Sequence, residues 1–312
     1  MARSDAPHAA RAGRAASRTT VTAHPPWLRF QAYAVGLPRS GSTSLAALFG
    51  RYRTGHEWQL MELVGPAMAR RRGELGDEEF LRATSGRLVP PALEMDSATC
   101  HHLYADLLSR TFPGAVFLLA VRDVRSWVSS FLDMVLRQRI AFRLNGTPRS
   151  RWHDVYLPVL TEGAYDIEGR GDDRASLPPL MRSWAAHLRE MTALLPADRS
   201  LRVRTRDIGS RLPEIAALVG VPTSTLRAEL SHANRAAHRF DRFAAFDGEE
   251  LRATYDESCA ELMKELFPEE HAAWTAREAL RDGGAVDWPT HLARVEAWVA
   301  RAIESHAPGA AR

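Results

Sequence analysis

A chain of 312 residues with 45% apolar content is long enough to bury a sizeable core. A net charge of +3, with nearly all basic residues Arg and no dense like-charge run beyond Arg70-Arg71-Arg72, argues against a nucleic-acid partner. Cys100 and Cys259 stand far apart without metal-type spacing, so neither a disulfide framework nor a metal site is expected.

Residues 1–26 are rich in Arg, Ala, Ser and Thr, hold Asp5 as their only acid and end at Pro25-Pro26, the composition of a disordered arm. No apolar stretch is long enough for a secretory core or a membrane span, so a cytoplasmic bacterial protein without a membrane partner is expected. Residues 27–312 then read as a single domain, with no internal repeat and no second core. A homodimer is an assembly the sequence leaves open.

Phe30 to Leu37 reads as a short buried strand, followed by a Gly/Ser turn and an Ala/Leu-rich helix over Thr43 to Tyr52. Further on, Glu94-Met95-Asp96-Ser97 precedes His101-His102, which fit a helix reaching Leu108 with Asp96 as its cap. Ala115 to Val121 is continuously apolar, as a strand covered on both faces must be, and runs through Arg122-Asp123 into a helix starting near Ser126. Residues 145–179 turn polar and Gly/Pro-rich, the signature of an irregular loop or lid. A helix over Leu180 to Leu195, a strand over Ser200 to Thr205 and an amphipathic helix over Leu212 to Val219 come next. From Asp247 the chain is helical, with Leu251, Tyr255, Cys259, Leu262 and Leu266 on one face and a last helix around His291 to Ile303. Strands alternating with helices predict an α/β fold: a P-loop-like parallel sheet flanked by helices, with a helical C-terminal portion.

Gly36-Leu37-Pro38-Arg39-Ser40-Gly41-Ser42-Thr43 lies between a buried strand and a helix start, where backbone N–H groups and the helix dipole favour an anion. The spacing equals that of a Walker A loop, but Ser42 stands where the lysine belongs, and Arg39 supplies the cation in a fork suited to oxyanions. Taken alone, the segment is also a Gly/Ser turn capping a helix. A P-loop nucleotide kinase or NTP-binding protein is the alternative, and it would need that lysine and a magnesium-binding acid.

Pro38-Arg39-Ser40-Gly41-Ser42-Thr43 resembles the 5′-phosphosulfate loop of the sulfotransferases, in the Arg form of tyrosylprotein, carbohydrate and many bacterial members. Arg122-Asp123-Val124-Arg125-Ser126-Trp127-Val128-Ser129-Ser130 is similar to the family's 3′-phosphate motif, an Arg after a strand and a Ser eight positions on. Pro196 to Pro222 resembles a later strand-plus-helix stretch of the family, though its usual Tyr-Glu-Asp-Leu is Thr205-Arg206-Asp207-Ile208. The resemblance implies 3′-phosphoadenosine 5′-phosphosulfate as co-substrate, held by Arg39, Ser40, Gly41, Ser42, Thr43, Ser44, Arg122 and Ser130, with no metal. It also implies sulfuryl transfer to a hydroxyl or amine of a small-molecule acceptor. Arg235, Arg239 and Arg242 are candidates for a further phosphate contact.

In-line transfer needs a base for the acceptor's proton. The resemblance points to Glu57, in Thr54-Gly55-His56-Glu57-Trp58 after the loop helix, with His56 beside it as the alternative. Asp96 and His101 are further candidates, facing the acceptor. Trp127, Phe131, Trp152, Tyr156, Tyr165 and Trp184 are candidates for an aromatic acceptor pocket, or for core.

Overall fold

The computed structural model describes residues 27–89, 91–146, 152–163, 173–232, 240–278 and 287–306. Five strands make one parallel sheet: β1 (Ala32–Val35), β2 (Thr54–His56), β3 (Met95–Ser97), β4 (Val116–Val121) and β5 (Ser200–Arg204). Their spatial order is β2-β3-β1-β4-β5, which sets β1 at the centre with Ala34 opposite Ser97 on one side and Leu118 on the other.

Successive side chains in a strand point to opposite faces. Tyr33, Val35, Phe117, Leu119 and Val121 therefore join one apolar layer, while Ala32, Ala34, Leu118 and Ala120 join the other. With both faces covered, Ala115 to Val121 has no position left for a polar residue, which explains its unbroken apolar run. Helix α1 (Ser42–Leu48) and the helix Leu212–Val219 cover the second layer through Leu45, Leu48, Ile215 and Val219. Helix α2 (Leu60–Arg71) and the helices Val124–Asn145 and Leu177–Leu194 cover the first through Leu63, Val64, Trp127, Val128, Leu180 and Trp184.

Leu251, Tyr255 and Cys259 sit buried on a helix Glu249–Thr254 that continues through a π-turn into Ala260–Leu266. The last helix, Trp288–His306, sets Val295 and Val299 against Leu136 and Ile140 of the long helix. Among the described residues no helix is long and apolar enough to cross a membrane.

Three differences from the sequence-based expectations matter for the site. Strands β2 and β3 are only three residues each and partly polar, so no alternation marks them; pairing with a neighbour makes them strands. Asp96 lies within β3 rather than capping a helix. Within 145–179, the segment Trp152–Tyr156 is a π-turn leading into the helix Leu157–Leu160, anchored by buried Tyr156 and Leu157. Residues 147–151 and 164–172 of the expected lid lie outside the described residues, as does the expected arm.

Candidate active site

All five strands are parallel, so their carboxyl ends share one edge of the sheet, where α/β folds gather ligands. The loop after β1 is held there by its carbonyl groups. Trp127 Nε1–H donates to the Pro38 carbonyl at 2.7 Å, Arg122 Nη1 to that of Arg39 at 3.4 Å, Thr205 Oγ1 to that of Ser40 at 2.6 Å and Ser97 Oγ to that of Ser42 at 2.9 Å. A planar trans peptide points N–H opposite to C=O, so the amides of Arg39, Gly41 and Thr43 face away from these anchors. They turn toward the same side as the N-terminus of α1, where backbone N–H groups and the helix dipole favour an anion.

Close approach dictates two glycines in this loop. A Cβ on Gly36 would lie 2.9 Å from the Ala120 carbonyl oxygen, and one on Gly41 3.0 Å from Ile208 Cδ1, with Gly41 also at φ 110°. Gly41→Ala is expected to destabilise the protein by about 1–3 kcal/mol. An unchanged urea midpoint would contradict that strain.

Arg39 also adopts a left-handed backbone, at φ 68°. Its Nε–H donates to Ser130 Oγ at 3.2 Å across 91 residues of sequence, so the two motifs meet at one point. Arg122, at the carboxyl end of β4, donates through Nε to Ser126 Oγ at 2.9 Å, and Ser126 is in turn held by the helix cap Asp123. Trp184 Nε1–H fixes the Arg122 carbonyl at 2.8 Å. Burial, reinforced by the charges of Arg137 and Arg122, pushes the Arg39 guanidinium down to about 10. Positive charge held out of water beside more positive charge favours an anion.

Glu57 follows β2 in a left-handed conformation, φ 55°, and its N–H donates to the Ser97 carbonyl at 2.9 Å. Thr99 holds both carboxylate oxygens, its N–H on Oε1 at 3.1 Å and its hydroxyl on Oε2 at 3.3 Å. Burial raises the carboxyl to about 7 even though the Thr99 hydrogen bonds pull the other way. His56 Nε2 lies 3.1 Å from Ser42 Oγ and 3.2 Å from Thr43 Oγ1, and 3.7 Å from Glu57 Oε1. Burial and the nearby Arg39 lower its pKa, which favours a neutral ring sharing hydrogen bonds with the loop hydroxyls. Ser40 and Ser44 are buried under the loop.

Asp96 and His101, expected to face the acceptor, are both buried behind Glu57. Arg87 forks onto Asp96, with Nη2 to Oδ1 at 2.6 Å, while His101 Nε2 lies 3.5 Å from Oδ1 and its Nδ1 meets the Ala34 carbonyl at 2.9 Å. Burial would raise the Asp96 carboxyl, but His101 and Arg87 hold it down at about 2. Arg242 is not a phosphate contact: it is fully buried against Asp133 and Asp173. Arg235 and Arg239 lie outside the described residues.

Trp127, Phe131, Tyr156 and Trp184 are core rather than pocket lining, and the two indoles serve instead as struts for the loops after β1 and β4. Tyr165 and the side chain of Trp152 are outside the described residues. Thr99, Ser97 and Thr205 escaped sequence reasoning because a lone hydroxyl residue carries no spacing signal; only the register of β3 and β5 brings them to this edge.

A family model described as a sulfotransferase domain matches residues 33–239. Among solved structures, a sulfotransferase from Alicyclobacillus acidocaldarius is 14% identical with TM-score 0.43, over 79% of this chain and 99% of that one. The sulfotransferase domain of the curacin biosynthetic pathway is 15% identical with TM-score 0.38, over 88% of this chain and 98% of that one. The corresponding domain of a Synechococcus olefin synthase is 14% identical with TM-score 0.31, over 92% and 99%. Identities and TM-scores this low carry no residue correspondence. A search of curated proteins finds no match.

Proposed function

The chain belongs to the sulfotransferase domain family, and from that premise we propose that it moves the sulfuryl group of 3′-phosphoadenosine 5′-phosphosulfate to a hydroxyl or amine of a small-molecule acceptor. Family membership sets aside the nucleotide-kinase alternative. The observation that carries the choice of co-substrate is the contact between Arg39 and Ser130 at 3.2 Å. It joins the loop after β1 to the motif after β4, so one ligand bearing two separated anionic groups can touch both.

The residues present fit such a ligand. The cradle amides and Arg39 suit the phosphosulfate end, while Arg122 and Ser130 suit a phosphate with a fork and a hydroxyl. When bound, the co-substrate supplies an activated sulfuryl group with adenosine 3′,5′-bisphosphate as its leaving group. Glu57 accepts the acceptor's proton on a carboxylate that Thr99 keeps in one orientation. His56 holds Ser42 and Thr43 in place and links the base segment to the loop.

Adenosine 3′,5′-bisphosphate at about 100 Kd is expected to stabilise the wild type by about 2.7 kcal/mol in a thermal-shift assay, with ATP giving far less. Arg39→Ala should weaken the bisphosphate at least about tenfold, the scale of a lost charge-assisted hydrogen bond. Stabilisation by Mg-ATP with indifference to the bisphosphate would overturn the proposal.

A further inference from the structure

The site holds a cation that no sequence motif announced. Arg137 lies seven residues beyond Ser130 on the helix Val124–Asn145. Seven residues are nearly two full turns, so the two positions share one face, about 10.5 Å apart along the axis. Long side chains on a helix lean toward its N-terminus. Arg137 does so: its Nε–H donates to the Asp133 carbonyl at 3.1 Å, one turn back, which carries the guanidinium toward Ser130. The Trp298 ring backs it, 5.5 Å from the guanidinium carbon.

What distinguishes Arg137 is what it lacks. Among the described residues neither Arg137 nor Arg39 has a carboxylate partner. Asp133, the nearest acid on the same helix, is already committed to Arg242 at 2.7 Å and His291 at 3.2 Å. Burial lowers the pKa of Arg137, and the Arg137 charge acts on Arg39 more strongly than that of Arg122 does. Arg39 on Ser130 and Arg137 within its field are thus two half-buried guanidinia without an ion pair, and the Asp133 charge reaches both only from beyond pairing distance.

We propose that Arg137 is a second guanidinium for the 3′-phosphate, closing on it from the helix side opposite Arg122. This rests on the co-substrate assignment above. A charge count favours the co-substrate over an anionic acceptor. A phosphomonoester near pH 7 brings about two negative charges and a phosphosulfate two more. Arg39, Arg122 and Arg137 together only approach that total. Arg242, one of the three guanidinia that sequence offered for a further phosphate contact, is locked in the core.

Isothermal titration of the full chain with adenosine 3′,5′-bisphosphate and with adenosine 5′-phosphate separates the possibilities. Arg137→Ala should weaken the bisphosphate about tenfold or more and the monophosphate less than about threefold, as expected for one lost charge-assisted contact. Arg137→Lys, which keeps the charge and loses the fork, should fall between them. Unchanged bisphosphate affinity, or equal losses for both nucleotides, would overturn the role of Arg137. A wild type that binds both nucleotides equally would instead sink the co-substrate assignment itself, whatever the variants do.

Discussion

Glu57→Gln is expected to lower kcat by about 10²–10⁴-fold, the usual contribution of a positioned base, while leaving adenosine 3′,5′-bisphosphate affinity within about threefold. The two readouts separate because Glu57 follows β2, whereas the residues proposed for the 3′-phosphate stand after β4, at the far side of the central strand. A carboxyl raised from its usual 4.5 to about 7 is a base poised at working pH. The wild-type kcat/KM should therefore climb as pH rises through about 7 and level off above it, and the variant should lose that limb. A limb that persists in Glu57→Gln would transfer the role to His56.

The same shift has a cost in stability that gives a second check. A carboxyl whose folded value is raised keeps its proton where the unfolded chain has released it. The folded state is then penalised progressively as pH rises from 4.5 to about 7, and fully above that. The penalty is on the order of 3 kcal/mol from the size of the shift, an upper figure because part of the side chain reaches solvent. Glu57→Gln should accordingly raise the urea midpoint at pH 8 and leave it unchanged at pH 4. The left-handed backbone at Glu57 points the same way, toward local strain maintained at a functional position.

How much of this was legible in the sequence depends on whether the signal was local. The strand-loop-helix unit that starts at Phe30 and the one from Ala115 through Arg122 could be read because burial on both faces forces an apolar run and a tightly packed loop forces small residues, although the first helix ends at Leu48 rather than Tyr52. The helix Leu212–Val219 has the bounds its amphipathic pattern predicts, and in the structure Gly220 ends it as a left-handed C-cap. Asp96 was misplaced for a physical reason: a carboxylate in a buried strand is tolerated only because Arg87, nine residues earlier, arrives through a loop to neutralise it. Glu57 and Thr99 lie 42 residues apart, and the pairing of β2 with β3 brings them together. Arg242 likewise reads as a candidate phosphate contact until the fold sets two carboxylates around it.

That burial makes Arg242→Ala the largest stability effect expected in this protein. The Arg242 side chain is inaccessible to solvent; its Nε–H donates to Asp173 Oδ2 at 2.9 Å, and Nη1 donates to Asp133 Oδ1 at 2.7 Å and to the Ser129 carbonyl at 3.1 Å. Phe240 and Trp288 lie across its faces, each 5.6 Å from the guanidinium carbon. Burial alone would raise the Asp133 carboxyl, but Arg242 and His291 reverse this and hold it below its ordinary value. Removing Arg242 strands two carboxylates in a core that cannot hydrate them, a loss of about 3–5 kcal/mol. Urea denaturation at pH 7 reads this directly, and a loss under about 1 kcal/mol would mean that water reaches the pair. Neutralising the acids as well, in Asp133→Asn with Asp173→Asn on the Arg242→Met background, should recover much of the loss, because buried ion pairs contribute little beyond apolar packing of the same volume. The triple variant should still bind adenosine 3′,5′-bisphosphate more weakly than the wild type. Arg242 holds the Ser129 carbonyl, so it fixes the turn of helix on which Ser130 meets Arg39, and no apolar side chain can make that hydrogen bond.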